Sequence, residues 1–155
     1  MLRMIVSGGQ TGVDRGALDA AIERGMQHGG WCPGGRRAED GVIPSRYALR
    51  ENDSRRYAAR TERNVRDSDG TLVLYEREAI GGTRLTMRLA RQLSKPLLAI
   101  DLERPTDVQA AVDWIRAENV EVLNVAGPRE SQSPGIERRA AEFVTTLIER
   151  LRSAQ

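Results

Sequence analysis

Three short segments of this 155-residue chain carry residue types suited to holding an anion. The first is Ser7-Gly8-Gly9-Gln10-Thr11-Gly12-Val13-Asp14-Arg15-Gly16, in which three glycines precede a helix-forming run. Glycine permits φ > 0 and lets backbone N–H groups approach a ligand, and a helix N-terminus behind the turn favours negative charge. The second, Ile80-Gly81-Gly82-Thr83-Arg84, and the third, Ala126-Gly127-Pro128-Arg129-Glu130-Ser131, have the same design. One such turn alone could be a tight strand-to-helix connection. Three of them, each leading into a helix, point to a shared ligand site at the carboxyl ends of the strands.

The charged side chains leave more than one reading open. Arg129 lies within the third turn, where its planar fork could grip a phosphate or oxyanion in two places. Thr11 to Asp14 match a capping box, so Asp14 could cap a helix or serve the site. Arg15 could meet the ligand or pair with a surface acid, and Arg36 and Arg37 could face an anion or pair with the adjacent Glu39-Asp40. The formal net charge is only +2, yet the stretch from Pro33 to Arg66 carries nine arginines against five acids. A local basic excess fits an anionic ligand, or else a solvated loop. Six aromatic residues and no extended basic stripe make nucleic acid a poor partner despite a sequence pI near 9.1. A single cysteine, Cys32, and a single histidine, His28, exclude an internal disulfide and zinc or iron-sulfur centres, and no protein-bound metal is expected.

The elements that must position these turns follow from hydrophobic periodicity. Leu2–Val6 is an apolar run of strand length, and Val13, Ala17, Leu18, Ala21 and Ile22 then recur at helical spacing until Gly25. Further strands are expected around His28–Cys32, at Thr71–Tyr75, from Pro96 to Ile100 and over Val120–Ala126. Helices are expected at Tyr57–Val65, on the Leu85, Leu89 and Leu93 face, and on the Val108, Ala111, Val112 and Ile115 face. The last helix carries the longest stripe, Ile136 through Leu151, with Ser133 as N-cap and Pro134 at the first helical position. Alternating strands and helices predict a Rossmann-like, doubly wound α/β domain spanning residues 1–155, built on a mainly parallel five-stranded sheet. The stretch Gly34–Arg56 breaks the rhythm, as functional loops do. The first turn matches neither GxGxxG nor GxxxxGK[ST], and no acid ends the second strand to hold a ribose hydroxyl, so NAD binding and P-loop hydrolysis are disfavoured. No apolar run reaches the roughly 20 residues that cross a bilayer, and glycines interrupt the N-terminal run before a signal-peptide core forms. A cytoplasmic location and no membrane partner are expected.

The motifs Ser7–Ala17, Gly-Trp-Cys-Pro at 30 to 33, Arg-Arg-Ala-Glu-Asp-Gly at 36 to 41, Arg-Thr-Glu-Arg-Asn-Val at 60 to 65 and Gly-Gly-Thr at 81 to 83 are specific in combination. Over nearly the whole chain they resemble the family described as circularly permuted YpsA-like and as molybdenum carriers. That family is similar to molybdenum-cofactor carrier proteins and, more remotely, to lysine-decarboxylase-like LOG proteins, which include nucleotide-processing phosphoribohydrolases. The resemblance implies a binding or carrier protein for a phosphorylated nucleotide or pterin, with molybdenum cofactor as possible cargo. Together the three turns and the charged and polar side chains near them give a candidate site of Gly8, Gly9, Gln10, Thr11, Gly12, Asp14, Arg15, Arg36, Arg60, Glu62, Asn64, Gly81, Gly82, Thr83, Gly127, Pro128, Arg129, Glu130 and Ser131. Glu62 and Asn64 would meet a base or pterin edge, or cap local backbone. Cys32 could be a soft ligand to molybdenum or a packed core residue, and Trp31 and Tyr57 could stack on a ligand or pack. LOG-type hydrolysis is the alternative. Arg60 matches its arginine, but Thr86 stands where its glutamate belongs, and a hydroxyl cannot do the work of an ionisable acid. The permuted order of the three turns implies strand order 2-1-5-3-4, which the near-continuous apolar run of strand five suits. Related proteins look oligomeric, and the last helix offers a regular face, so a homo-oligomer is expected.

Overall fold

The structure, a computed structural model, describes residues 1–105 and 107–153. Short apolar runs form β1 (Met4–Val6), β2 (Gln27–Gly29), β7 (Gly70–Tyr75), β8 (Leu97–Asp101) and β9 (Val122–Ala126). Together they make one all-parallel sheet in the order β2-β1-β9-β7-β8. Counting only these five strands, this is the expected 2-1-5-3-4. The apolar β9 runs between β1 and β7, with Ile5 opposite Leu123 and Leu72 opposite Val125.

The helices are α1 (Val13–Glu23), α2 (Tyr57–Asp67), α3 (Gly81–Gln92), α4 (Val108–Ala117) and α5 (Ile136–Ser153). Ile5, Leu72, Leu74, Leu123 and Val125 pack with α1, α4 and α5 in the main core. Residues alternate across a strand, so Val6 and Val73 point to the other face, which α2 and α3 cover. The α5 stripe is wholly interior, with Leu147 and Ile148 fully buried and Leu151 nearly so. The face that the sequence offers for self-association is therefore spent on the protein's own core. Gly16 allows α1 and α5 to approach closely, since a Cβ there would lie 2.3 Å from the Glu137 carbonyl oxygen. Among the described residues no helix is long and apolar enough to cross a membrane.

Several local expectations are corrected. The second strand stops at Gly29. Gly30, at φ 121°, turns the chain, and Trp31–Cys32 (β3) pairs instead with Arg50–Glu51 (β6) outside the main sheet. The Thr11–Asp14 capping box does not form: Gly12 is the N-cap of α1, and the Asp14 carboxylate accepts from the Gln10 N–H instead. Ser133 and Pro134 precede α5, and the Ser133 hydroxyl donates to Glu76 rather than capping the helix. The aperiodic stretch from Gly34 to Arg56 is ordered by a small core of Leu18, Cys32, Ala38, Ile43 and Tyr47. It contains an antiparallel hairpin of β4 (Arg37–Ala38) and β5 (Gly41–Val42), with Glu39 and Asp40 at its tip.

Candidate functional site

The three glycine turns leave β1, β7 and β9, adjacent strands whose carboxyl ends open on one crevice. In it lies a cleft of about 70 Å³ lined by Gln10, Asp14, Tyr57, Arg60, Thr61, Gly82, Thr83, Thr86, Gly127, Arg129 and Gln132. Arg60 comes from α2. Its Nη1 lies 3.2 Å from Asp14 Oδ2, and the guanidinium rests on Gly8, where a Cβ would stand 1.7 Å from Nη1. Arg60 Nε is buried without an acceptor among the described residues. Burial pushes the Asp14 carboxyl above its ordinary pKa, and the attraction of Arg60 only partly offsets this.

Counting backbone donors separates the turns. In the first, the Gln10 N–H donates to Asp14 (3.2 Å), Thr11 N–H to Gln10 Oε1 (3.1 Å), Gly12 N–H to Glu137 Oε1 (3.1 Å) and Val13 N–H to the Pro128 carbonyl (3.2 Å). Four consecutive amides are thus committed inside the protein. In the second, the Gly81 and Gly82 N–H groups have no partner among the described residues, and α3 has no side-chain cap. The Thr83 hydroxyl, on a residue only 4% exposed, also lacks one. In the third, Arg129 N–H donates to Gln132, Glu130 N–H to Thr11 Oγ1, and Ser131 N–H to Glu39.

The remaining candidates have other engagements. Arg15 forms two bonds to Asp40, at 2.6 and 2.8 Å, and one to the Gly9 carbonyl; its hydrogen bonds hold Asp40 below the usual carboxylate range. Arg36 lies outside the cleft and staples the aperiodic stretch by donating to the Ile43, Pro44 and Tyr47 carbonyls. Glu62 pairs with Arg66 on the surface of α2, and the Asn64 amide bonds the Trp31 backbone. The Glu130 carboxylate accepts from Gly135 and Glu137 N–H groups and so caps α5. Pro128 contributes the carbonyl that receives the Val13 amide. Cys32 is fully buried in the small core, its thiol pushed up by burial. Trp31 donates to Asp67 and is covered by Arg63 at 3.7 Å, whereas Tyr57 lines the cleft, with the Arg37 and Arg129 guanidinium carbons 4.4 and 5.3 Å from its ring centre. Thr86 donates to the Gly82 carbonyl. Among the described residues no group of three His, Cys, Asp or Glu side chains could hold a metal ion.

Sequence reasoning missed Glu39. It sits 28 residues from Thr11 and 92 from Ser131, yet accepts from the hydroxyls of both. Burial alone would raise its pKa, but the bonds from Ser131 and Thr11 together outweigh burial and lower it. Nothing in its local sequence distinguishes it from an acid paired with a neighbouring arginine.

An open parallel sheet with glycine turns at adjacent strand ends defines a Rossmann-like α/β fold, and its family can be stated. The chain belongs to the circularly permutated YpsA SLOG family, whose profile matches residues 5–148. Among solved structures it is similar to a chain from Syntrophus aciditrophicus SB described as a "putative molybdenum carrier protein", with 42% identity, a TM-score of 0.90 and 95% of each chain covered. No curated protein matches it.

Proposed function

We propose that this protein binds and carries a small phosphorylated ligand, a nucleotide or a pterin such as molybdenum cofactor, without turning it over. The observation that carries the reading is the convergence of three glycine turns on one cleft shared by Arg60 and Arg129. Unused amides at the second turn supply neutral N–H donors and the two arginines cationic ones, a combination that suits phosphate oxygens. The cleft encloses about 70 Å³, well below the roughly 300 Å³ at which drug-sized pockets begin. It therefore suits a phosphate group, with the ring system lying at the rim near Tyr57. Cys32 is buried in a separate core, so a molybdenum-bearing cargo would be held by its phosphate and not by thiolate.

The test is mass spectrometry of what gently purified protein retains. A co-purifying phosphorylated nucleotide or pterin is expected; a protein that retains none, and binds no phosphate by calorimetry, overturns the reading. One observation favours the hydrolase alternative: Asp14 brings to the cleft a carboxyl that burial biases towards its protonated form, beside Arg60. Release of free base from adenosine or cytidine monophosphate, abolished by Arg60→Ala, would replace carriage with catalysis.

A further inference from the structure

Glu39 reaches the crevice from the tip of the β4–β5 hairpin, and four donors from two turns converge on its carboxylate. Oε1 accepts from Thr11 Oγ1 and, at 3.3 Å, from the Ser131 N–H. Oε2 accepts from Ser131 Oγ at 2.6 Å and lies 4.0 Å from Arg129 Nη1. Two hydroxyls, an amide and a guanidinium gathered around two oxygens form a donor set for any compact oxyanion. Resting on the function proposed above, we propose that the first and third turns form an anion seat which the protein's own Glu39 fills, and which a phosphate group of the ligand takes in exchange.

The geometry makes the exchange local. The Glu39 N–H donates to Gln10 Oε1 at 2.9 Å, and Arg15 clamps the neighbouring Asp40 with two bonds, so the hairpin backbone stays in place. Only the Glu39 side chain has to swing, and it has solvent to swing into: it is 20% exposed, and no atom lies within 4 Å of where a Cβ on Gly41, at the same hairpin tip, would be. The seat adjoins the cleft through Arg129, which belongs to both. Two anions cannot share these donors, because like charges in contact repel. Glu39 therefore lowers the apparent affinity by the fraction of time it holds the seat.

Calorimetry with inorganic phosphate on the full chain tests this. If Glu39 holds the seat nine-tenths of the time, Glu39→Ala binds phosphate about tenfold more tightly, and adding Ser131→Ala removes the gain. Glu39→Gln keeps the side chain's volume and should also bind more tightly; it serves should the alanine variant fold poorly. In the wild-type protein, phosphate should shift the Glu39 carboxyl carbon resonance towards that of a solvated glutamate. Unchanged or weaker affinity in a folded Glu39 variant, or a carboxyl resonance indifferent to saturating phosphate, overturns the seat. Phosphate that binds the wild type, weakens on Thr83→Val and ignores Glu39 leaves the carrier function standing and removes the seat alone. No phosphate binding by the wild type or any Glu39 variant removes both.

Discussion

The first and second glycine turns look alike in sequence, each with a Gly-Gly pair and a threonine leading into a helical run, yet they are opposites in use. Every amide from Gln10 to Val13 is bonded within the protein, and the Thr11 hydroxyl accepts from Glu130 while donating to Glu39. The Gly81 and Gly82 amides and the Thr83 hydroxyl, on the wall of the cleft, have no partner among the described residues. Composition announces where a backbone can approach a ligand. Whether its donors are free depends on residues far along the chain, here Glu39, Pro128 and Glu137.

The sharpest way to break the contrast is to add one methyl group to each turn. Gly12 has φ 84°, and a Cβ there would lie 2.2 Å from the Pro128 carbonyl oxygen and 2.7 Å from the Glu130 nitrogen, both backbone atoms that cannot step aside. Gly12→Ala should cost about 3 kcal/mol or more in urea unfolding. Gly82 is helical with open space around it, so Gly82→Ala should stay within about 0.5 kcal/mol or gain slightly from the loss of unfolded-chain entropy. Equal costs would mean that the two turns are packed alike.

Removing the two hydroxyls asks the same question of the side chains. Thr11→Val strands the Glu130 amide and strips a donor from Glu39, which should destabilise the fold by about 1 to 3 kcal/mol. Thr83→Val removes a cleft-lining hydroxyl without a protein partner, so stability should hold or rise, while phosphate binding measured by calorimetry should weaken by about 0.5 to 1.5 kcal/mol. A Thr83 variant that unfolds more easily and binds as before would reverse the roles assigned to the two turns.

How much of this was legible in the sequence differs from link to link. The strand order was readable because β9 is nearly all apolar, as a strand covered on both faces must be, and because the permuted order of the turns requires it beside β1. The helical spans of α1 and α2 were readable from spacing to within two or three residues. The break at Gly30 was not, since one glycine inside a short polar-apolar run reads equally as a bulge or a bend. Nor was Arg36, which looked like an anion contact but spends its donors on carbonyls of its own segment. Glu39 was invisible for the same reason that Glu137 was: a carboxylate's partner across a crevice leaves no local pattern.

A smaller effect separates two carboxylates attached to the first turn. Arg15 holds the Asp40 pKa down, whereas burial pushes that of Asp14 up despite Arg60. Stability from a lowered carboxyl is present above its unfolded-state pKa and is lost as pH falls through the lowered native value. A raised carboxyl acts in the opposite sense: its contribution is full below the unfolded-state pKa and is lost as pH rises through the raised native value. The melting-temperature difference between wild type and Asp40→Asn should therefore shrink on acidification, while that between wild type and Asp14→Asn should shift in favour of wild type. Parallel slopes for the two variants would show that Asp14 is as well solvated as Asp40.

The smallest expected effect marks the edge of the site on α2. Arg60 and Glu62 are two residues apart, which on a helix turns them about 200° from one another. Arg60 faces Asp14 and the cleft, while Glu62 Oε1 meets Arg66 at 2.6 Å in a pair roughly half exposed on both sides. Exposed pairs at this spacing contribute about 0.3 to 0.5 kcal/mol. Glu62→Ala should therefore change stability by no more than that and leave phosphate affinity at the wild-type value. The variant tests the boundary of the cleft because it removes a negative charge: if Glu62 acted on the ligand through space, its loss would tighten phosphate binding most at low salt and steepen the salt dependence of that binding. If Glu62 instead contacted the ligand through a base or pterin edge, the change would leave phosphate alone but weaken binding of the whole nucleotide or pterin. An effect on either probe beyond about twofold would move the edge of the site past Arg60 to the outer face of α2.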